Sequence, residues 1–130
     1  MIIINDPQDL LGLAVKNLLS PFLNDEKFIQ KIRNWKKTVV VELKDLYPIT
    51  IIFDNGEIRI EYDEIAKYHI KIIMNLNTFT DIAEGKLGII SAFLKRKVKI
   101  KKLYRIPTIL KFKNILIPAL KYATQQDNGN

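Results

Sequence analysis

The 130-residue chain predicts an α+β domain. Apolar residues recur at helical spacing near both ends, and between residues 38 and 75 the apolar period drops to two. An Asn55-Gly56 pair also separates two alternating runs, which is the strongest short-range hairpin signal.

In chain order, Asp6-Pro7-Gln8-Asp9 reads as a helix start. Asp6 can cap, Pro7 suits the first helical position, and Asp9 faces the positive end of the helix dipole. The helix runs to about Phe22 on a stripe of Leu10, Leu11, Ala14, Val15, Leu18 and Leu19, and Pro21 weakens its end. Such a stripe needs a cover: the core, a twin subunit or a membrane, with the core as the expected one. Asn24 opens a second helix whose core-facing residues are Phe28, Ile29, Ile32 and Trp35. Strands follow at residues 38–44, 49–54, 57–62 and 69–75. Ile58, Ile60 and Tyr62 oppose Glu57, Arg59 and Glu61, so one sheet face is buried and the other wet. Residues 76–84 are helical, capped by Asn77 or Thr78 and stopped by Gly85. Residues 86–95 are helical again, and residues 98–101 form a short fifth strand. A last helix starts near Ile106-Pro107, and Pro118 predicts a kink or split near Asn114. Residues 124–130, TQQDNGN, read as a disordered tail.

Composition narrows the chemistry. No run of eighteen apolar residues exists, and MIIINDPQD carries neither a basic leader region nor a small-residue cleavage site. The expectation is a cytoplasmic protein, at most peripheral to membranes. Without Cys, disulfides and thiol catalysis are excluded. A single His69 leaves Ser20 and Ser91 without a relay and a metal without its usual ligands. Gly85-Lys86-Leu87-Gly88 is too short for a phosphate loop, and the pairs Asp63-Glu64 and Asp54/Glu57 read as solvated carboxylates. The expectation is therefore a binding protein rather than an enzyme, with no cofactor and no metal.

Charge is unevenly placed. Residues 1–84 carry ten Lys/Arg against thirteen Asp/Glu, and residues 85–126 carry eleven Lys/Arg and no acid. That asymmetry suggests an anionic partner, a membrane surface or nucleic acid, unless the charge only solvates the surface. The run KRKVKIKKLYR fits a membrane better, at roughly 1 kcal/mol per Lys or Arg. Nucleic acid is disfavoured, because Tyr104 and Tyr122 are the only polar aromatics nearby and no recognised motif is present.

Several stretches resemble the sterol carrier protein type 2 family. They are Lys37-Thr38-Val39-Val40-Val41 after the leading helix, the Asn55-Gly56 hairpin, and Phe79-Thr80-Asp81-Ile82-Ala83-Glu84-Gly85-Lys86-Leu87 after a strand. Ala92-Phe93 and Lys97-Val98-Lys99-Ile100 complete the set. The resemblance covers about residues 25–117. It implies a five-stranded, mainly antiparallel sheet covered on one side by helices, with a tunnel between them for fatty acyl chains, phospholipids or sterols. On this reading residues 1–23 are an extra N-terminal helical extension, residues 24–123 the lipid-binding domain and residues 124–130 a tail. Where the family usually has glycines flanking the fifth strand, this chain has Arg96 and Lys102, which puts the local backbone approach in question.

The candidate lipid-contacting residues are Phe53, Ile60, Ile72, Met74, Phe79, Ile82, Leu87, Ile90, Phe93, Leu103, Ile106 and Leu110. Lys95, Arg96, Lys97, Lys99, Lys101, Lys102 and Arg105 are candidates for an anionic membrane surface or headgroup. Either a lipid occupies the space between sheet and helices or the side chains close it. In the alternative, the chain is a structural module that forms a homodimer through its N-terminal helix.

Overall fold

The computed structural model describes residues 2–65 and 67–128, with side chains as far as Ala123. The elements run β1 (Ile3–Ile4), α1 (Leu10–Leu19), α2 (Glu26–Ile32), β2 (Lys36–Leu43), β3 (Pro48–Asp54), β4 (Glu57–Tyr62), β5 (Ile70–Met74), α3 (Leu76–Ala83), α4 (Ile89–Leu94), β6 (Lys99–Lys101) and α5 (Ile106–Asn128).

The sheet is mixed and has six strands in the order β1-β4-β3-β2-β5-β6, which corrects the expected five-stranded, mainly antiparallel sheet. The added strand is β1, two residues paired parallel to β4. Two residues show no period, so only the partner strand reveals them. β5 lies parallel to β2, because the chain after β4 crosses past β3 and β2 before pairing again. The hairpin forms as expected: Asn55 and Gly56 both take positive φ, 51° and 95°, as a two-residue turn matched to strand twist requires.

Strand alternation points Val39, Val41, Ile49, Ile51, Phe53 and Ile58 into one core, shared with residues of all five helices. On the opposite face the chain after β4 covers Thr50, whose hydroxyl donates to the Asp63 carbonyl at 2.8 Å. Lys71 on that face is 8 % exposed and pairs with Glu64 at 2.6 Å and Glu42 at 3.0 Å. Burial opposes its charge, but the two carboxylates outweigh burial and hold its pKa above the ordinary lysine value.

Helix starts are set by contacts the local sequence does not contain. Asp9, not Asp6, caps α1: its Oδ2 accepts from the Gly12 N–H at 2.7 Å and from the Tyr47 hydroxyl at 2.8 Å. Tyr47 in turn accepts from the Leu11 N–H, so a residue 36 positions away fixes the first turn. Asp6 instead pairs with Lys16. A Cβ on Gly12 would lie 3.1 Å from Ile60, so this glycine lets α1 settle closely onto β4. Leu11, Val15 and Leu19 of α1 pack on the chain's own core, while Leu10 of the expected stripe is 84% exposed. Asp25 caps α2 and Asn75 caps α3, one and two or more residues from the expected positions. Trp35 falls outside α2 but still packs on Phe53, with ring centroids 4.9 Å apart.

Pro118 lies inside α5 without splitting it. Proline has no N–H to give the carbonyl four residues back. That carbonyl, of Asn114, accepts instead from Lys31 Nζ at 3.1 Å, so α2 supplies the missing donor. α5 also takes in residues 124–128 of the expected 124–130 tail, and residues 129 and 130 lie outside the described residues.

Candidate functional site

Between the inner sheet face and the helices lies an apolar cavity of about 270 Å³. Its floor is a row in register across three strands: Val41 pairs with Ile72, and Ile72 with Ile100. Phe53 and Met74 extend the floor. Phe79 and Ile82 of α3, Ile90 and Phe93 of α4, and Ile106 and Leu110 of α5 form the helical walls, with Leu103 beside them. The structure thus gathers ten of the twelve predicted residues around one space. Ile60 and Leu87 are elsewhere: Ile60 lies under α1 against Gly12, and Leu87 packs on the core in the turn between α3 and α4.

Sequence reasoning missed part of the wall. Val15, Leu18 and Leu19 of α1 line the same cavity, as does the stretch of α5 from Phe112 to Leu120. Their apolar spacing was legible, but periodicity does not tell which helices share a void. Lys113 was missed as well. It is the one polar residue on the wall, and the signal for it was present: Ile106, Leu110 and Lys113 stand at i, i+4 and i+7, on one face of α5.

The basic residues separate into groups. Lys99 and Lys101 flank the inward Ile100 on β6, so alternation turns them to the opposite sheet face, where they pair in register with Ile73 and Lys71. Lys102 donates to the Tyr68 carbonyl at 2.7 Å and sits 4.6 Å from the Tyr68 ring. Lys95, Arg96, Lys97 and Arg105 border the helical walls at the end of α4 and the start of α5. Arg96 and Lys102 adopt φ of 61° and 63°, the left-handed region that glycine occupies without strain. Both positions are left-handed although neither residue is glycine.

His69 is held neutral. Its Nδ1 accepts from the Thr38 N–H at 3.0 Å. Burial lowers its pKa, and the cations Lys37, Arg105 and Lys102 lower it further. Among the described residues there is no cluster of three or more metal-ligating side chains, and no helix is long and apolar enough to cross a membrane.

These features define a sheet-and-helix domain with an apolar chamber. The sequence profile of the SCP-2 sterol transfer family matches residues 6–116, and the chain belongs to that family. The match runs through α1, so nothing marks that helix as additional to the family fold. No curated protein sequence matches the chain. Among solved structures, a UbiJ-SCP2 ubiquinone synthesis protein is 12% identical at a TM-score of 0.67, covering 84% of this chain and 95% of that one. The sterol carrier protein domain 2 of Helicoverpa armigera is 19% identical at a TM-score of 0.65, covering 92% and 93%. The sec-alkylsulfatase Pisa1 from Pseudomonas sp. is 20% identical at a TM-score of 0.58, covering 68% of this chain but 14% of that enzyme.

Proposed function

We propose that the chain binds lipids by their hydrocarbon part in the chamber between sheet and helices and carries them between anionic membranes. The observation that carries this reading is the cavity of about 270 Å³ whose wall is apolar except for Lys113. The wall side chains leave this space open to a ligand, and hydrocarbon that enters it covers apolar surface otherwise exposed to water. A chain of about a dozen methylenes would gain on the order of 10 kcal/mol before ordering costs.

The wall also constrains the ligand. It offers no hydroxyl, amide or carboxylate side chain to a headgroup. The polar end of a lipid therefore stays at the opening, within reach of the Lys113 ammonium, and the hydrocarbon goes in first. A wall of this composition performs no bond chemistry, which supports a carrier rather than an enzyme. The absence of acidic residues from 85 to 126 supports loading and unloading at anionic bilayers.

Titration of delipidated protein with a dansyl-labelled fatty acid tests the reading. The expected result is saturable fluorescence at one site per chain, competed by unlabelled fatty acid. A signal that never saturates, or that unlabelled lipid does not displace, refutes it.

A further inference from the structure

Exposure locates the mouth of the chamber. Its wall residues are buried or half-buried except four: Ile90 (57%), Leu103 (49%), Ile106 (55%) and Leu110 (49%). Two more large apolar side chains flank these four in sequence, Leu94 at the end of α4 and Tyr104 before α5, exposed by 72% and 74%. Neither lines the chamber. The mouth and the residues directly adjoining it in the chain thus hold six large apolar groups in water, a concentration that marks an interaction surface.

Its charge is of one sign. Lys95, Arg96 and Lys97 follow directly on Leu94, Arg105 stands between Tyr104 and Ile106, and Lys113 is on the wall itself. Among the described residues none of the five pairs with a carboxylate, and no Asp or Glu occurs between Glu84 and Asp127 to neutralise them. The Nε of Arg105 is buried and has no acceptor. Arg96 holds its charge at a backbone position where glycine would be unstrained.

We propose that the mouth is a docking surface for an anionic lipid bilayer. Ile90, Leu94, Leu103, Tyr104, Ile106 and Leu110 enter the headgroup boundary, while the five cations meet lipid phosphates. A second copy is a poor occupant, because a two-fold contact would press this basic edge against itself. Nucleic acid would use the cations but not six apolar side chains. Docked in this way, the chamber opens onto hydrocarbon, and a lipid enters without its chain crossing water. Exchange is then by contact with the membrane rather than by release into solution. This rests on the lipid-carrier reading only for its purpose; the docking itself is separable.

Vesicle co-sedimentation tests it, using phosphatidylcholine with and without phosphatidylglycerol at low and high salt. The full chain is expected to pellet with the anionic vesicles only, and less so at high salt. Leu94→Glu combined with Tyr104→Glu, or Lys95→Glu with Arg96→Glu and Lys97→Glu, should each reduce pelleting about tenfold or more. For the Leu94→Glu, Tyr104→Glu variant, dansyl fatty acid uptake and melting temperature should stay at wild-type values, since neither residue lines the chamber. Wild-type pelleting by both variants, or equal pelleting with neutral vesicles, overturns the proposal. A doubled solution mass that Leu94→Glu abolishes also overturns it and assigns the surface to a second copy. Protein that pellets but takes up no fatty acid removes the carrier reading and leaves the docking surface; the converse removes only the docking.

Discussion

Enlarging a side chain inside the chamber distinguishes an open space from a closed core by the sign of its effect. Val41 stands at the end of the floor row, beside Ile72, and Val98 is a second buried wall residue. Valine to phenylalanine adds four carbons. At about 0.8 kcal/mol for each methylene-sized group, burying them in available space gains about 3 kcal/mol. Rotamer shifts around a new ring take back about 1–2 kcal/mol. The net expectation for Val41→Phe or Val98→Phe in delipidated protein is a gain of about 1 kcal/mol, a rise of about 3–5 °C in melting temperature. In a closed core the same change overpacks and costs about 1–3 kcal/mol. The ring also displaces about four methylenes of ligand, so fatty acid affinity should fall about a hundredfold. Calorimetry of delipidated protein and dansyl fatty acid titration read the two effects. A loss of stability in both variants together with unchanged uptake would refute the chamber.

Three further outcomes follow from particular residues. His69 titrates below 6.5 in the folded chain, first because it is buried and then because Lys37, Arg105 and Lys102 surround it. The unfolded chain therefore binds a proton first, and stability held above pH 6.5 declines as pH falls below it. His69→Asn, whose amide oxygen can still accept from Thr38, should flatten that decline in urea titrations between about pH 7 and 5. Arg96→Gly should raise stability by about 0.5–1 kcal/mol, because relief of the left-handed backbone exceeds the entropy that glycine loses. Lys102→Gly should gain less, since it also gives up the 2.7 Å bond to Tyr68; equal gains in urea melts would contradict this. Pro118→Ala restores the N–H missing from α5 and should stabilise by about 1–2 kcal/mol. Lys31→Met should cost about 0.5 kcal/mol beside Pro118 and nothing beside Ala; additivity in that double-mutant cycle would separate the two residues.

What the sequence made legible was whatever a local period or turn encodes. The bounds of the strand Glu57–Tyr62 were readable to the residue, because the Asn55-Gly56 turn fixes its register, but Tyr62, expected on the buried face, is 65% exposed. The two short helices before β6 were readable from Gly85 and their apolar spacing. What remained hidden was tertiary. β5 beside β2 requires a crossover that no local pattern announces. The α1 cap moved to Asp9 because Tyr47, on the far side of β2, hydrogen-bonds it. Pro118 failed to split α5 because Lys31 answers the orphaned carbonyl. The candidate site was legible in the same measure. Inward positions on β5, α3 and α4 converge because their faces are fixed by alternation and helical spacing. Ile60 shares the inward face of its partner Ile51 but lies one strand farther out, under α1 and off the chamber wall.

The decisive property of the chamber is whether it takes hydrocarbon from the cell. Native mass spectrometry of protein purified without detergent measures this, paired with organic extraction of the same sample. The prediction is a population heavier than the bare chain by the mass of one lipid, with that lipid recovered in the extract and lost from the Val41→Phe variant. A single species at the mass of the bare chain, with no extractable lipid and no mass added on incubation with fatty acid, would contradict it.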